Sequence, residues 1–171
     1  MADIVIVASS RAEPGELAAA RLGIRFGRLD LCSRLAVVAV EKLGINFDTL
    51  QRDRMGICLA AKTGSLATDI EYWKGRGSAG GPSPTLFAYT LPSSAIGEIA
   101  IRHGITGPNL CFFGDDDQLT REATWLIESG EVDACICVAC KVIDAEVAQI
   151  IKGSEAMEAR ATFLQRQGNS P

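Results

Sequence analysis

Two short, uninterrupted apolar runs, Met55–Ala61 and Ala134–Cys140, constrain this chain more than any other feature. Each is too short and too continuous for an amphipathic helix, and reads as a strand buried on both faces. Such strands belong to sheets that helices cover from two sides, and the segments around them fit that requirement. Over Leu31–Leu43 the residues Leu31, Leu35, Val38, Ala39 and Leu43 recur at helical spacing, with Asp30 as N-cap and Gly44 as C-cap. Further helices are predicted at Leu66–Lys74, capped by Thr63 or Ser65, at Ala95–Arg102, entered through Leu91-Pro92-Ser93 and ended by Gly104, and at Gln118–Glu128, closed by Gly130.

Further strands are predicted at Ile4–Ala8, stopped by Ser9-Ser10-Arg11, and at Asn109–Phe113. Ala145–Gln167 reads as a long C-terminal helix whose charged face carries Glu146, Lys152, Glu155, Glu158, Arg160 and Arg166. The alternation implies an α/β fold: a mostly parallel sheet with right-handed crossovers, covered by helices on both faces, with a long C-terminal helix. Residues 1–171 are expected to form one domain, 144–171 being a helical extension. Asn46–Asp53 is turn-like, Gly75–Pro84 is a glycine-rich surface loop, and Ala12–Asp30 carries no clear periodicity.

Composition narrows the function classes. The chain is 47% hydrophobic, as a doubly covered sheet requires, with a net charge of -4. Its 17 basic residues are scattered and form no stripe, so nucleic acid is not an expected partner. No apolar run approaches the ~20 residues of a membrane span. The N-terminus lacks the basic flank of a signal peptide, and six cysteines without a secretion signal suggest reduced thiols and a cytoplasmic location.

Several local patterns invite chemistry. Cys135, Cys137 and Cys140 suggest a metal, but on a strand Cys140 faces away from the other two, so no metal site is expected. Lys62-Thr63-Gly64-Ser65 reads as a strand-to-helix turn in which Gly64 relieves backbone strain. No nucleophile elbow, phosphate-binding loop or dinucleotide fingerprint occurs, and no cofactor is expected. His103, the only histidine, falls in the last turn of a helix, where a cap role is commoner than general-base work. Asp115-Asp116-Asp117 opens a helix and lacks the spacing of a calcium loop, so capping is the expected role.

Three segments, taken in order, resemble the N-terminal half of the β-ketoacyl synthases. The first is Leu29–Ala36 with its helix and Gly44-Ile45, similar to the family's Asp-x-x-Ser-Arg helix, followed by Arg54-Met55-Gly56-Ile57. The second runs from Phe87 through Leu91-Pro92 and the helix to Gly107-Pro108. The third is Ala123–Gly130 followed by Val132–Ile136. The resemblance implies a thiolase-like half-domain without a cofactor, in which dimers extend the sheet through the strand before the active site. Here that strand is Asn109, Leu110, Cys111, Phe112 and Phe113.

The departures from the family bear on activity. Family enzymes place a cysteine about eight residues after the Gly-Pro, at a helix N-terminus that favours thiolate. Counting from Pro108 puts Asp116 there, and the family's two histidines and lysine belong to a C-terminal half beyond this chain. The resemblance therefore implies a catalytically degenerate member, similar to chain-length factors. The expected role is non-catalytic, in fatty-acid or polyketide-type biosynthesis, as a homodimer or paired with a ketosynthase, acyl carrier protein or acyl chain. Two alternatives stand beside it: an acyltransferase or thioester hydrolase using Cys111, His103 and Asp116 at a homodimer interface, and a purely structural homodimer. Cys111 itself is expected to be a core thiol.

Overall fold

The computed structural model describes residues 3–20, 22–23 and 26–168. Five strands form one sheet: β1 (Ile4–Ala12), β2 (Met55–Ala61), β3 (Asn109–Phe112), β4 (Ala134–Ile143) and β5 (Ala156–Arg166), in the order β1-β5-β4-β2-β3. The helices are α1 (Leu31–Glu41), α2 (Leu66–Gly75), α3 (Pro84–Phe87), α4 (Ser94–His103), α5 (Asp116–Glu128) and α6 (Ala145–Ile151).

Both apolar runs are central strands, as their sequences require. Every residue of β2 is buried, and β2 pairs in parallel with β4 from Met55↔Ala134 to Ala61↔Cys140. Alternation along these strands divides the core in two. Ile57, Leu59, Ile136 and Val138 face α1 and α4, while Cys58, Cys135, Cys137 and Ala139 face α5 with its Leu119, Ala123, Leu126 and Ile127. Cys140 lies on the α1 side, apart from Cys135 and Cys137. Helix boundaries follow their caps. The Asp30 carboxylate accepts from the Ser33 amide at 3.0 Å, and Gly104 closes α4 at φ +66°. Gly44 also takes a left-handed conformation, two residues past the Lys42 cap of α1.

The predicted long helix over Ala145–Gln167 is not formed, and with it falls the 144–171 helical extension. α6 ends at Lys152, whose φ of +53° is left-handed, and Gly153 follows. The chain then returns as β5. Its alternate residues Ala159, Ala161 and Phe163 are buried against α1, while Glu158, Arg160 and Thr162 point to the other face. Strong helix formers dominate this stretch, but pairing on two sides outweighs a propensity of a few tenths of a kcal/mol per residue. The sheet is accordingly mixed rather than mostly parallel: β5 runs antiparallel to β4 and to β1, whereas the pairs of β2 are parallel. α6 is too short to carry the chain back along the sheet, so the strand after it reverses direction.

β1 is also longer than expected. Ser9-Ser10-Arg11 continues it as an edge strand, with the Ser10 hydroxyl donating to the Ala39 carbonyl at 2.5 Å. The glycine-rich segment Gly75–Pro84 links α2, which Gly75 ends, to α3, which Pro84 opens, and in it the Ser78 hydroxyl lies 2.7 Å from the Gly75 carbonyl and 2.9 Å from that of Gly81. No helix among the described residues is long and apolar enough to cross a membrane.

Candidate functional site

The connection from β3 into α5 holds the position to which the sequence directs attention. Phe113 lies over Gly64, where a side chain would collide with the ring; Gly64 itself has φ +59°. Gly114 passes so close to Gln118 that a Cβ there would sit 2.6 Å from its Oε1. These two glycines let the turn close tightly. The Asp115 carboxylate accepts from the Gln118 amide at 2.9 Å as N-cap, and Asp116 is the first residue of the helix.

Asp116 is ion-paired with Arg160, which β5 projects from the same sheet face. Arg160 is the residue that sequence reasoning missed. Assigned to a helix face, it had no route to Asp116, and only recognition of β5 as a strand would have placed it. Glu158, two residues away on the same face, stands 2.7 Å from Arg11 and 3.7 Å from Lys141. Asp115, Asp116, Asp117, Lys62 and Lys141 wall a cleft of about 230 Å³ at the carboxyl ends of β2 and β4. Cys140 contributes to the wall, but its sulfur lies 2.9 Å from that of Cys32 on the α1 side. The cleft thus presents carboxylates and ammonium groups without a thiol or an imidazole.

The other candidate residues lie elsewhere. Cys111 is exposed on the open edge strand rather than in the core, because β3 has a neighbour on one side only. Its register with Leu59 sets it on the α1/α4 face, opposite to α5 and Asp116. Desolvation pushes its thiol above the ordinary cysteine value, the reverse of what an activated nucleophile needs. His103 ends α4, ahead of β3, whereas Asp116 follows it. Its ring packs on Phe47 at 4.3 Å between centroids, and its Nε2 lies 3.6 Å from Glu41. Burial lowers its pKa, partly offset by Glu41, so this is a half-buried packing residue more than a charged cap. Within one chain, Cys111, His103 and Asp116 are not brought together.

The remaining thiols are structural. The Cys32 thiol is pushed well up, first by its hydrogen bond with Cys140 and then by burial, and that of Cys135 by its bonds with Cys137 and Cys58 and by burial. Among the described residues no group of three or more metal-ligating side chains converges.

The mixed five-stranded sheet, with helices on both faces and a tight turn into a helix after the edge strand, matches the thiolase-like fold of ketosynthases. Solved structures share it at low sequence identity. A chain of the ketosynthase in complex with its chain length factor from Xenorhabdus doucetiae matches with TM-score 0.76 and 20% identity, over 99% of this chain and 81% of that one. The ishigamide ketosynthase/chain length factor matches at 0.78 and 16%, over 98% of this chain. A chain of a type II polyketide synthase complex, an acyl-carrier protein with its ketosynthase, matches at 0.81 and 16%, also over 98%. The chain spans 63% of the length of each of the latter two. No protein-family model and no curated protein matches the sequence.

Proposed function

We propose that this protein is a non-catalytic ketosynthase-like subunit of polyketide-type or fatty-acid biosynthesis, which pairs along β3 with a ketosynthase or with a second copy of itself. The observation that carries this reading is the Asp116–Arg160 pair at the start of α5, on a scaffold shared with ketosynthases. An acyl group moved from a thioester to that carboxylate would form a mixed anhydride, which is higher in energy than the thioester. The counter-ion already fixes the carboxylate against β5.

The open edge supports the pairing. β3 exposes backbone donors and acceptors along Asn109–Phe112, and exposed Phe113 extends the apolar surface past its end. An edge of this kind is a template for another strand. A partner strand laid antiparallel on β3 would continue the sheet across a two-fold axis.

The test combines assembly and turnover. The purified protein is mixed with a type II polyketide ketosynthase, assayed for co-elution, and assayed separately for decarboxylation of malonyl thioester. Association with the ketosynthase or with itself that Cys111→Lys abolishes, without decarboxylation, is expected. Turnover that depends on Cys111, or a monomer indifferent to the substitution, would overturn the reading.

A further inference from the structure

We propose that a second cleft, walled by α1, α2 and the segment at α3, binds an amphipathic oxyanion: a small organic molecule with a carboxylate or phosphate-ester head and an apolar body. This cleft has a volume of about 530 Å³ and lies apart from the α5 turn. That volume falls within the ~300–1,000 Å³ usual for small-molecule sites.

Arg34 projects from the first half of α1 into this cleft, and its Nε is wholly buried without a hydrogen-bond partner. Among the described residues Arg34 makes no ion pair, and Arg28, on the same wall, pairs with none of them either. A buried N–H is seldom left this way, because a donor taken out of water without a partner is expensive.

The acids nearby do not answer it. The Asp30 carboxylate accepts from the Ser33 amide and from the Thr68 hydroxyl, both at 3.0 Å. Asp144 caps α6 by accepting from the Val147 amide at 2.8 Å, and Glu146 is paired with Lys74. Glu71, exposed on α2, bridges to neither guanidinium. Two further donors face the same space: Thr85, and Ser83, whose oxygen accepts from the Leu86 amide at 3.2 Å and keeps its proton free.

Planar guanidinium donors suit an oxyanion, which they engage through two parallel bonds. Among the carboxylates and Lys74 of the wall, Leu31, Ile70, Leu86 and Met157 add apolar surface that a bare ion would leave uncovered. An anionic head on a hydrocarbon body uses both halves. This inference does not rest on ketosynthase pairing.

Isothermal calorimetry with octanoate, octyl phosphate, inorganic phosphate and octanol tests it. At least one octyl anion should bind, with the Kd at least tenfold weaker in Arg34→Met and several-fold weaker in Arg28→Ala, while octanol gives no heat of binding. Octanoate alone would mark a carboxylate site; octyl phosphate together with phosphate would mark a phosphate site. The proposal is overturned if neither octyl anion binds, if octanol binds equally well, or if Arg34→Met leaves affinity unchanged. Should Arg34→Met fail to fold, unchanged affinity in the exposed Arg28→Ala overturns it instead.

Discussion

Arg54 grips Asp133 through two parallel hydrogen bonds, Nε to Oδ2 at 3.1 Å and Nη2 to Oδ1 at 2.9 Å. The same guanidinium donates to the Gly130 and Glu131 carbonyls at 2.9 and 3.2 Å. One side chain thereby ties the start of β2 to the turn that feeds β4, and sets the register of the two central strands.

This pair makes stability depend on pH in a definite direction. The Arg54 hydrogen bond, reinforced by its charge, holds the Asp133 carboxyl below the usual range. A carboxyl depressed in the folded state stabilises it above the unfolded pKa, and that contribution is lost as pH falls through the folded value. Asp133→Asn should therefore lower stability at pH 7 by about 0.2–1 kcal/mol, the range for a solvent-screened ion pair. Urea unfolding should show the difference shrinking below pH ~4, and a constant difference down to pH 2 would contradict the assignment.

Gly107 is irreplaceable on steric grounds. A Cβ there would run into the Met55 carbonyl oxygen and lie 2.9 Å from that of Asp53, both rigid backbone atoms. Gly107→Ala should cost about 2–3 kcal/mol in urea unfolding, the upper range for overpacking. The neighbouring open position Gly97, in α4, should tolerate alanine and gain slightly from it.

The Asp30 carboxylate has two tasks, capping α1 and receiving the Thr68 hydroxyl from α2. Loss of the cap alone costs about 1 kcal/mol. Asp30→Ala should exceed Thr68→Val in its effect on the thermal midpoint, since only the former removes both bonds.

Thiol chemistry should single out one cysteine. Five of the six are buried and Cys111 is exposed. Iodoacetamide should label only Cys111 in the native protein, slowly at pH 7, with a rate still rising above pH 9 because its pKa is raised. Addition of a partner that pairs along β3 should suppress the labelling. Mass spectrometry of the alkylated protein reports both outcomes, and rapid labelling at pH 7 would instead signal an activated thiol.

Legibility in the sequence followed the strength of the local signal. Met55–Ala61 was readable to the residue because a strand buried on both faces leaves only an apolar run. Helices α1, α4 and α5 were readable because Asp30, Gly104 and Asp115 carry cap chemistry that acts within one turn. β5 was hidden: alanine, glutamate, arginine and glutamine favour a helix, and only its two neighbours make it a strand. Gly153 was the visible warning. The start of α5 could be found by counting from Pro108. Its counter-ion could not, because Asp116 and Arg160 are 44 residues apart and meet only through the sheet. The Arg34 cleft was equally beyond local pattern, since α1, α2 and α3 assemble it together.

The register that places Ile4 beside Arg166 has a consequence for biosynthesis. Among the described strands β1 pairs with β5 alone, so β1 must wait, unpartnered, while the sheet between them is made. Contacts spanning so much of the chain form slowly. A nascent chain halted before Ala156 would expose two unsatisfied edges at once, those of β1 and β4, and truncation there should yield aggregates rather than a smaller stable domain.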